Sequence, residues 1–218
     1  MPLGGLPLLG WTIRTAQEAA CFERIIVSTD DMEIADLAGQ YGAEAPWLRS
    51  PALATDQAGV IDTVLEVLGR IEQDGAPRPG AVMLLQPTSP FRSVNSIRSA
   101  IKQFRDLDGE SVVSVSKATT HPYWCRSIDE RGALQPFCPG NVSTARFQDL
   151  PAAYQLNGLI YLAATDTLLR EKSFYGARTQ ALVIESDYEA LDIDTALDFA
   201  LAQTLLRQLQ LAAPIFNF

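Results

Sequence analysis

The sequence has few of the residues and patterns that mark several common protein classes. It contains one histidine, and its three cysteines form no CxxC pair, so we expect no zinc site. No stretch approaches the roughly 18 consecutive apolar residues of a membrane span, and the N-terminus lacks the basic region of a signal peptide. A net charge of −9 argues against a nucleic-acid polymer as partner. We therefore predict a cytoplasmic protein with no membrane or nucleic-acid partner.

The cysteines, Cys21, Cys125 and Cys138, are odd in number and widely spaced. This pattern favours free thiols in a reducing compartment. A nucleophilic pair of Cys125 and His121 is the alternative interpretation. No nearby residue supplies the group that would orient the histidine, so we favour free thiols.

Patterns typical of helices and strands alternate regularly along the sequence. Apolar residues recur at helical spacing in five segments, and short apolar runs or alternations indicate five strands. The predicted helices are 7–20, 32–42, 58–71, 94–104 and 195–210, and the predicted strands are 25–28, 81–86, 111–116, 154–163 and 181–185. This order predicts one α/β domain over 1–218, with a mainly parallel sheet and helices on both faces.

The segment 119–149 interrupts this alternation. It contains three prolines and several aromatic residues, and it has no clear period. A long irregular segment inside a compact domain is usually functional or forms an interface. We interpret it as a lid or an arm between subunits, with a simple surface excursion as the alternative.

Three predicted strand ends are rich in polar side chains. They read STDD at 28–31, QPTSPFR at 86–92 and DIDT at 192–195. Ligands of open α/β sheets bind at the carboxyl ends of the strands. These three segments are therefore the predicted ligand-binding edge.

Asp192 and Asp194 are two residues apart, so in an extended segment both carboxylates face the same side. Mg²⁺ suits such a pair, because it takes oxygen ligands and leaves coordination positions for substrate phosphates. The alternative is that Asp194 or Thr195 caps the final helix. Asp198 in the next turn is interpreted as a partner of the helix dipole.

Five further residues are candidates on chemical grounds. Asn157 stands in an apolar run, where a buried amide must hydrogen-bond the backbone or a ligand. Arg49 and Arg92 are candidate ligands for phosphate or carboxylate, with a solvated arginine as the alternative for each. Asp30 and Asp31 follow the first strand, and one of them is expected to cap the following helix, with contact to a nucleotide as the alternative.

Together these segments resemble the acylneuraminate cytidylyltransferases, the CMP-sialic acid synthetases and their bacterial relatives for legionaminic and pseudaminic acid. The matching segments occur in family order and read PLGGLPLLGWTI, RIIVSTDDMEIADLAGQYGAE, LLQPTSPFR, QDLPAAYQLNGLIYL and LDIDTALDF. The resemblance implies a Rossmann-like nucleotidyltransferase fold with a protruding dimerisation arm at about 119–150, and a homodimer. It also implies Mg²⁺-dependent transfer of CMP from CTP to a 3-deoxy-nonulosonic acid, with release of pyrophosphate.

The same resemblance assigns roles to residues. Asp192 and Asp194 match the catalytic, metal-binding aspartates, and Arg49 and Asp56 match a segment that lines the nucleotide site. The residues that match the sugar-acid site are Gln86, Thr88, Ser89, Arg92, Arg146, Gln155 and Asn157.

Departures from the family pattern affect these expectations. Phe147, beside Arg146, and Gln155 stand where relatives often have arginine, so we expect legionaminic acid or another bacterial nonulosonate rather than N-acetylneuraminate. Relatives also carry a strand and a Gly/Lys-rich phosphate loop before the segment that matches Pro2–Gly5. A chain without them is expected to bind CTP poorly and to turn over slowly.

Two alternatives remain at this point. One is a truncated, non-catalytic homologue. The other is a cytidylyltransferase for 3-deoxy-manno-octulosonate, against which the QPTSP strand end argues.

Overall fold

The computed structural model describes residues 2–55, 57–106, 110–138, 146 and 149–212. The α-helices of this part are Leu8–Ala19 (α1), Met32–Gln40 (α2), Val60–Gln73 (α3), Val94–Asp106 (α4), Thr165–Glu171 (α5) and Ala196–Ala212 (α6). The strands are Pro2–Leu3 (β1), Leu6–Pro7 (β2), Ala81–Leu84 (β3), Ser111–Lys117 (β4), Arg126–Ile128 (β5), Leu134–Pro136 (β6), Tyr154–Ala164 (β7) and Thr179–Val183 (β8). All five predicted helices are confirmed, and α5 is an additional short one.

The central sheet has four strands in the order β3-β7-β4-β8. The prediction of an α/β fold with a mainly parallel sheet is confirmed, since β3, β4 and β8 run in the same direction. The exception is β7, which pairs antiparallel with both β3 and β4. The described part of the connection 118–153 contains no α-helix. A parallel return needs a crossover, usually helical, and without one the chain returns antiparallel.

Helices cover both faces of this sheet, as predicted. Ile97 and Ala100 of α4 pack with Val112 of β4 on one face. Val64 and Leu68 of α3 pack on the other face, in the cluster that contains Val113. Successive residues of β4 thus enter opposite cores, as the two-residue period of a strand requires.

A third core joins the two ends of the described chain. Leu206 of α6 is buried in one cluster with Leu3, Trp11 and Phe91. Leu191 and Ile193 are partly buried against the same cluster. Because Asp192 lies between them, its side chain is directed away from this core and towards the sheet.

The predicted strand 25–28 is only partly formed. It makes isolated parallel bridges, Ile26 with Glu44 and Thr29 with Leu48, in place of a continuous ladder. A glycine ends α2. Gly42 has φ +81, and the N–H of Ala43 donates to the carbonyl of Ala38 at 3.0 Å.

Among the described residues, no helix has both the length and the apolar character needed to cross a membrane. Cys21, Cys125 and Cys138 are free thiols, as expected.

Candidate functional site

The polar segment after β3 forms a compact turn at the edge of the sheet. Its backbone closes through the N–H of Ser89, which donates to the carbonyl of Gln86 at 3.4 Å. Ser89 and Arg92 are buried, whereas Gln86 and Thr88 are partly exposed. The turn therefore places Gln86 and Thr88 at the surface of the edge and inserts Arg92 beneath it.

An irregularity in β7 faces this turn. Between the pairs Val113–Tyr161 and Val115–Leu156 the register of β4 and β7 shifts, so residues 157–160 of β7 bulge opposite Ser114. The hydroxyl of Ser114 donates to Oδ1 of Asn157 at 2.6 Å and accepts from the N–H of Ile160 at 2.8 Å. Bulges of this kind bend a strand and redirect its side chains. Because β7 is antiparallel to β3, its N-terminal part lies at the edge where β3 ends.

Asp192 approaches the same place from a third segment. The N–H of Ile193 donates to the carbonyl of Thr88 at 2.9 Å, which fixes the DIDT segment against the turn after β3. Two of the three predicted polar strand ends, 86–92 and 192–195, are thus joined by a backbone hydrogen bond.

Gly158 lies where these segments meet. Its φ is +72, and a Cβ built on it would lie 3.0 Å from Oδ2 of Asp192 and 3.0 Å from Oε1 of Gln86. Glycine adopts this backbone conformation without strain and leaves the space open. The absence of a side chain therefore lets the carboxylate of Asp192 and the amide of Gln86 approach the backbone of β7 together.

Several buried polar atoms around this point have no hydrogen-bond partner. They are Oδ1 of Asp192, Nδ2 of Asn157 and Oγ of Ser89. Buried polar atoms are normally paired, and an unpaired one needs an explanation such as an absent ligand, ion or water. A carboxylate oxygen, an amide donor and a hydroxyl fit a polyhydroxylated ligand and a hard cation such as Mg²⁺.

Asp194 is exposed at the rim of this site, and its neighbours cap α6. Oδ2 of Asp198 accepts from the N–H of Thr195 at 2.8 Å, while Oγ1 of Thr195 accepts from the N–H of Asp198 at 3.2 Å. This reciprocal pair is a capping box. The hydrogen bonds from Thr195 hold the pKa of Asp198 below its usual range. Capping falls to Thr195 and Asp198, which leaves the side chain of Asp194 available for a metal.

Arg92 is held by protein atoms on several sides. Its Nε donates to the carbonyl of Leu159 at 2.8 Å and its Nη2 to the carbonyl of Gln86 at 2.9 Å. Its Nη1 donates to Oγ1 of Thr12 at 3.3 Å. The alternative of a solvated arginine is thus excluded for Arg92.

Arg49 lies at the remaining polar segment, 28–31. Its Nη2 donates to the carbonyl of Ser28 at 2.5 Å, and its Nε is buried without a partner. No described contact joins Arg49 to the residues around Gly158. Asp56 lies outside the described residues.

The other predicted sugar ligands are exposed. Gln155 accepts from the N–H of Thr119 through Oε1 at 3.3 Å, and Arg146 is exposed next to residues that the structure does not describe. Neither side chain is brought to the Gly158 centre by a described contact.

The interpretation of Cys125 as a free thiol rather than a nucleophile agrees with the geometry. Nδ1 of His121 accepts from the N–H of Tyr123 at 3.2 Å, so Nε2 carries the proton and donates to the carbonyl of Pro151 at 3.0 Å. The thiol of Cys125 donates to the carbonyl of His121 rather than to the ring. Of the two candidates for the cap of α2, Asp31 supplies it, because its Oδ1 accepts from the N–H of Glu33 at 2.7 Å.

The sequence reasoning missed two residues of this site. Ser114 supports the bulge, and nothing in the alternating pattern of its strand distinguishes it from Ser116. Gly158 lies within the matching segment QDLPAAYQLNGLIYL, but no role was predicted for it. A glycine inside an apolar strand is a signal for a bulge or a close backbone approach, and this signal was available.

Comparison with known proteins agrees with this geometry. The family described as Cytidylyltransferase matches residues 1–213. The chain is 45% identical over 210 residues to the CMP-N,N'-diacetyllegionaminic acid synthase of Legionella pneumophila, covering 94% of this chain and 87% of that protein. It is 33% identical over 199 residues to an N-acylneuraminate cytidylyltransferase of Streptococcus agalactiae, covering 90% of this chain and 46% of that protein.

A solved structure of a CMP:2-keto-3-deoxy-manno-octonic acid synthetase complexed with CTP has the same fold. It superposes with a TM-score of 0.69 at 14% identity, covering 95% of this chain and 90% of that one. At this level of identity the likeness concerns the fold alone, and it confirms the predicted Rossmann-like nucleotidyltransferase architecture.

Proposed function

The chain belongs to the cytidylyltransferase family, and from that membership we propose that it transfers CMP from CTP to a nine-carbon nonulosonic acid and releases pyrophosphate. It is a nucleotidyltransferase, and its substrates are CTP and a sugar acid. The anomeric hydroxyl of the sugar acid attacks the α-phosphorus of CTP and loses its proton to solvent. The bond between the α-phosphorus and the oxygen that bridges to the β-phosphorus breaks, and pyrophosphate leaves with that oxygen.

One observation of geometry carries the proposal. Gln86 and Asp192 converge on the Cβ-free backbone of Gly158, next to Asn157, and both Asn157 and Asp192 have unpaired polar atoms. This arrangement combines side chains that can hydrogen-bond the hydroxyl groups of a sugar with a carboxylate that can bind a cation. A transferase that joins a polyhydroxylated acid to a triphosphate needs both in one place.

The residues have distinct proposed tasks. Gln86, Thr88, Ser89 and Asn157 orient the sugar acid by hydrogen bonding, and Arg146 and Gln155 contribute from the exposed rim. Arg49 and Asp56 line the nucleotide site. Arg92, which the resemblance places at the sugar site, lies beneath Gln86 and donates to its backbone carbonyl.

Mg²⁺ is the proposed cofactor, held by Asp192 and Asp194. The unpaired Oδ1 of Asp192 and the exposed carboxylate of Asp194 fit such an ion. When bound, it reduces the repulsion between two anionic substrates and stabilises the charge that develops on the phosphates. The two aspartates place negative charge at the edge of the sheet where β3 ends. Gln86 and Asn157 hold the sugar acid beside these carboxylates.

The proposed sugar is a legionaminic-type acid. The relative from Legionella pneumophila, at 45% identity over nearly the whole chain, is a synthase for CMP-N,N'-diacetyllegionaminic acid. The glutamine at position 155 is consistent with a substrate other than N-acetylneuraminate. The eight-carbon alternative receives support only from a similarity of fold.

We further propose that the enzyme works in the cytoplasm, where CTP is available, and as a homodimer. Exposed apolar side chains on the β5–β6 hairpin support a dimer through the predicted arm, whose remaining residues lie partly outside the described part of the chain. Ile128, Leu134 and Phe137 are exposed there.

The proposal is tested by measuring CTP-dependent pyrophosphate release with four acids under identical conditions. N,N'-diacetyllegionaminic acid is expected to give a kcat/KM at least about tenfold above N-acetylneuraminic, pseudaminic and 3-deoxy-manno-octulosonic acids, since polar pockets discriminate strongly between differently placed substituents. EDTA is expected to abolish turnover, and added Mg²⁺ to restore it.

Asp194→Asn is the matched variant for the metal. It keeps the size of the side chain but removes its charge, so it should raise the Mg²⁺ concentration needed for half-maximal activity. Turnover with the eight-carbon acid alone would overturn the proposed substrate. Absence of turnover with every acid would favour the non-catalytic alternative.

A further inference from the structure

Arg92 combines deep burial with contacts to backbone at the proposed sugar site. Its side chain belongs to a residue that is only 3% exposed. The two carbonyl groups that accept from it belong to Gln86 and Leu159, at 2.9 and 2.8 Å. Leu159 directly follows Gly158, so both acceptors lie in the segments that converge on that glycine.

Burying a guanidinium is unfavourable unless other groups compensate it. Burial lowers the pKa of Arg92 to about 10, and the charges of Asp192 and Glu189 oppose that decrease. The side chain therefore remains protonated at neutral pH. Glu189 is itself fixed, because its Oε2 accepts from the hydroxyl of Ser96 at 2.6 Å.

A residue that only filled this space could be apolar. The planar fork of arginine instead reaches two carbonyl groups on different chain segments at once, which a methionine cannot do and a lysine does poorly. One side chain therefore links the Gln86 segment directly to the β7 bulge.

We propose that Arg92 is a positioning residue for the sugar acid: by bridging the carbonyl groups of Gln86 and Leu159 it holds the side chain of Gln86 at the Asn157–Gly158 bulge. It acts through Gln86 and the bulge rather than by touching the substrate, which changes its initial assignment as a ligand. This inference rests on the proposed function.

The test uses Arg92→Lys, with Arg92→Gln as a second variant if the first does not fold. Arg98→Met is the matched control. Arg98 also donates to backbone carbonyl groups, those of Ala19 at 3.3 Å and Glu18 at 3.2 Å, but it joins α4 to the end of α1. The control therefore shows the effect of losing arginine contacts between two helices, without losing the hydrogen bonds of Arg92 to Gln86 and Leu159.

The expected kinetic result is a selective effect on the sugar acid. In Arg92→Lys the KM for the sugar acid should rise about tenfold, the loss expected when the hydrogen bond from Gln86 to the sugar acid is no longer made, while the KM for CTP stays within about twofold. Arg98→Met should change neither value. A purely structural role would lower the fraction of folded enzyme and leave both KM values unchanged.

A double-mutant cycle with Gln86→Ala separates positioning from direct contact. If Arg92 acts through Gln86, adding Arg92→Lys to Gln86→Ala should raise the KM for the sugar acid by less than about threefold, since the residue it positions is already gone. A further tenfold rise, as additive effects require, would overturn the inference.

Hydrogen exchange provides a readout that does not depend on activity. Peptides covering 85–93 and 157–160 should exchange faster in Arg92→Lys than in the wild type, and at the wild-type rate in Arg98→Met. Unchanged exchange in both peptides would overturn the inference even if the wild type turns over no sugar acid. In contrast, if the wild type is inactive but Arg92→Lys exchanges faster, the proposed function is rejected. The conclusion that Arg92 holds the two segments together would then still stand.

Discussion

At the scale of single residues, Gly158 has the strictest requirements in the site. Its positive φ disfavours any other residue, and its open Cβ position is flanked by Asp192 and Gln86. The side chains of Asp192 and Gln86 can both approach this position because glycine has no side chain. The position therefore combines a backbone requirement with a steric one.

We expect Gly158→Ala to reduce kcat/KM by about 100-fold, since displacing positioned groups by as little as an ångström has effects of this size. The strained backbone should also lower the free energy of unfolding by about 1–3 kcal/mol. Steady-state kinetics and urea denaturation measure the two effects.

Gly69→Ala is the control. Gly69 lies inside α3, where an added Cβ meets no atom within 4 Å. That variant should keep its activity and gain up to about 1 kcal/mol of stability. A Gly158→Ala enzyme with wild-type kcat/KM would show that Gln86 and Asp192 do not need this approach.

At the scale of elements, the start of α6 connects helix capping with the proposed metal site. Directly after Asp194, Thr195 and Asp198 each accept a hydrogen bond from the backbone N–H of the other. A well-capped helix start keeps the preceding DIDT segment in one conformation.

The ionised form of Asp198 supplies this cap, because its pKa is lowered by the hydrogen bonds of Thr195. A carboxylate with a lowered folded-state pKa contributes stability above its unfolded pKa, about 3.9, and loses it as the pH falls through the folded value. Asp198→Asn should therefore have a lower urea midpoint than the wild type at pH 6, and the difference should shrink below about pH 4.

Asp36→Asn, at an exposed position of α2, is the control for removing a negative charge. It should leave the urea midpoint nearly unchanged at pH 6. A difference between Asp198→Asn and the wild type that is constant from pH 6 to pH 3 would contradict the capping role of the ionised carboxylate.

At the scale of the whole molecule, the β5–β6 hairpin exposes an apolar surface. Ile128, Leu134 and Phe137 are 71%, 68% and 69% exposed. Apolar side chains grouped on a short hairpin are typical of an interaction surface. This is the physical basis of the proposed homodimer.

The double variant Ile128→Glu/Leu134→Glu should raise the dimer dissociation constant by about 100-fold or more, as expected when charge replaces central apolar contacts. Sedimentation velocity over a range of concentrations measures it. The control is Leu197→Glu, which changes an exposed leucine of α6, away from the hairpin. This variant should leave the dimer dissociation constant unchanged. A monomeric wild type, or a double variant that dimerises normally, would reject this interface.

Much of the fold could be predicted because its signals are local. The apolar periods of α1, α3 and α4 are properties of a few consecutive turns, and the caps at Asp31 and Thr195 depend on neighbours within three residues. The weak pairing of 25–28 was missed, since a strand pattern does not reveal how completely a neighbouring segment will pair with it.

The sequence by itself determined the α/β order, the polar segments 86–92 and 192–195, and the family, because side-chain chemistry and its order along the chain are independent of folding. Only the tertiary structure decided that β7 runs antiparallel, that its bulge places Gly158 between Gln86 and Asp192, and that Arg92 bridges two carbonyl groups. These features depend on contacts between residues far apart in the chain, such as Arg92 and Leu159. Such contacts exist only after the sheet has formed, so no local pattern encodes them.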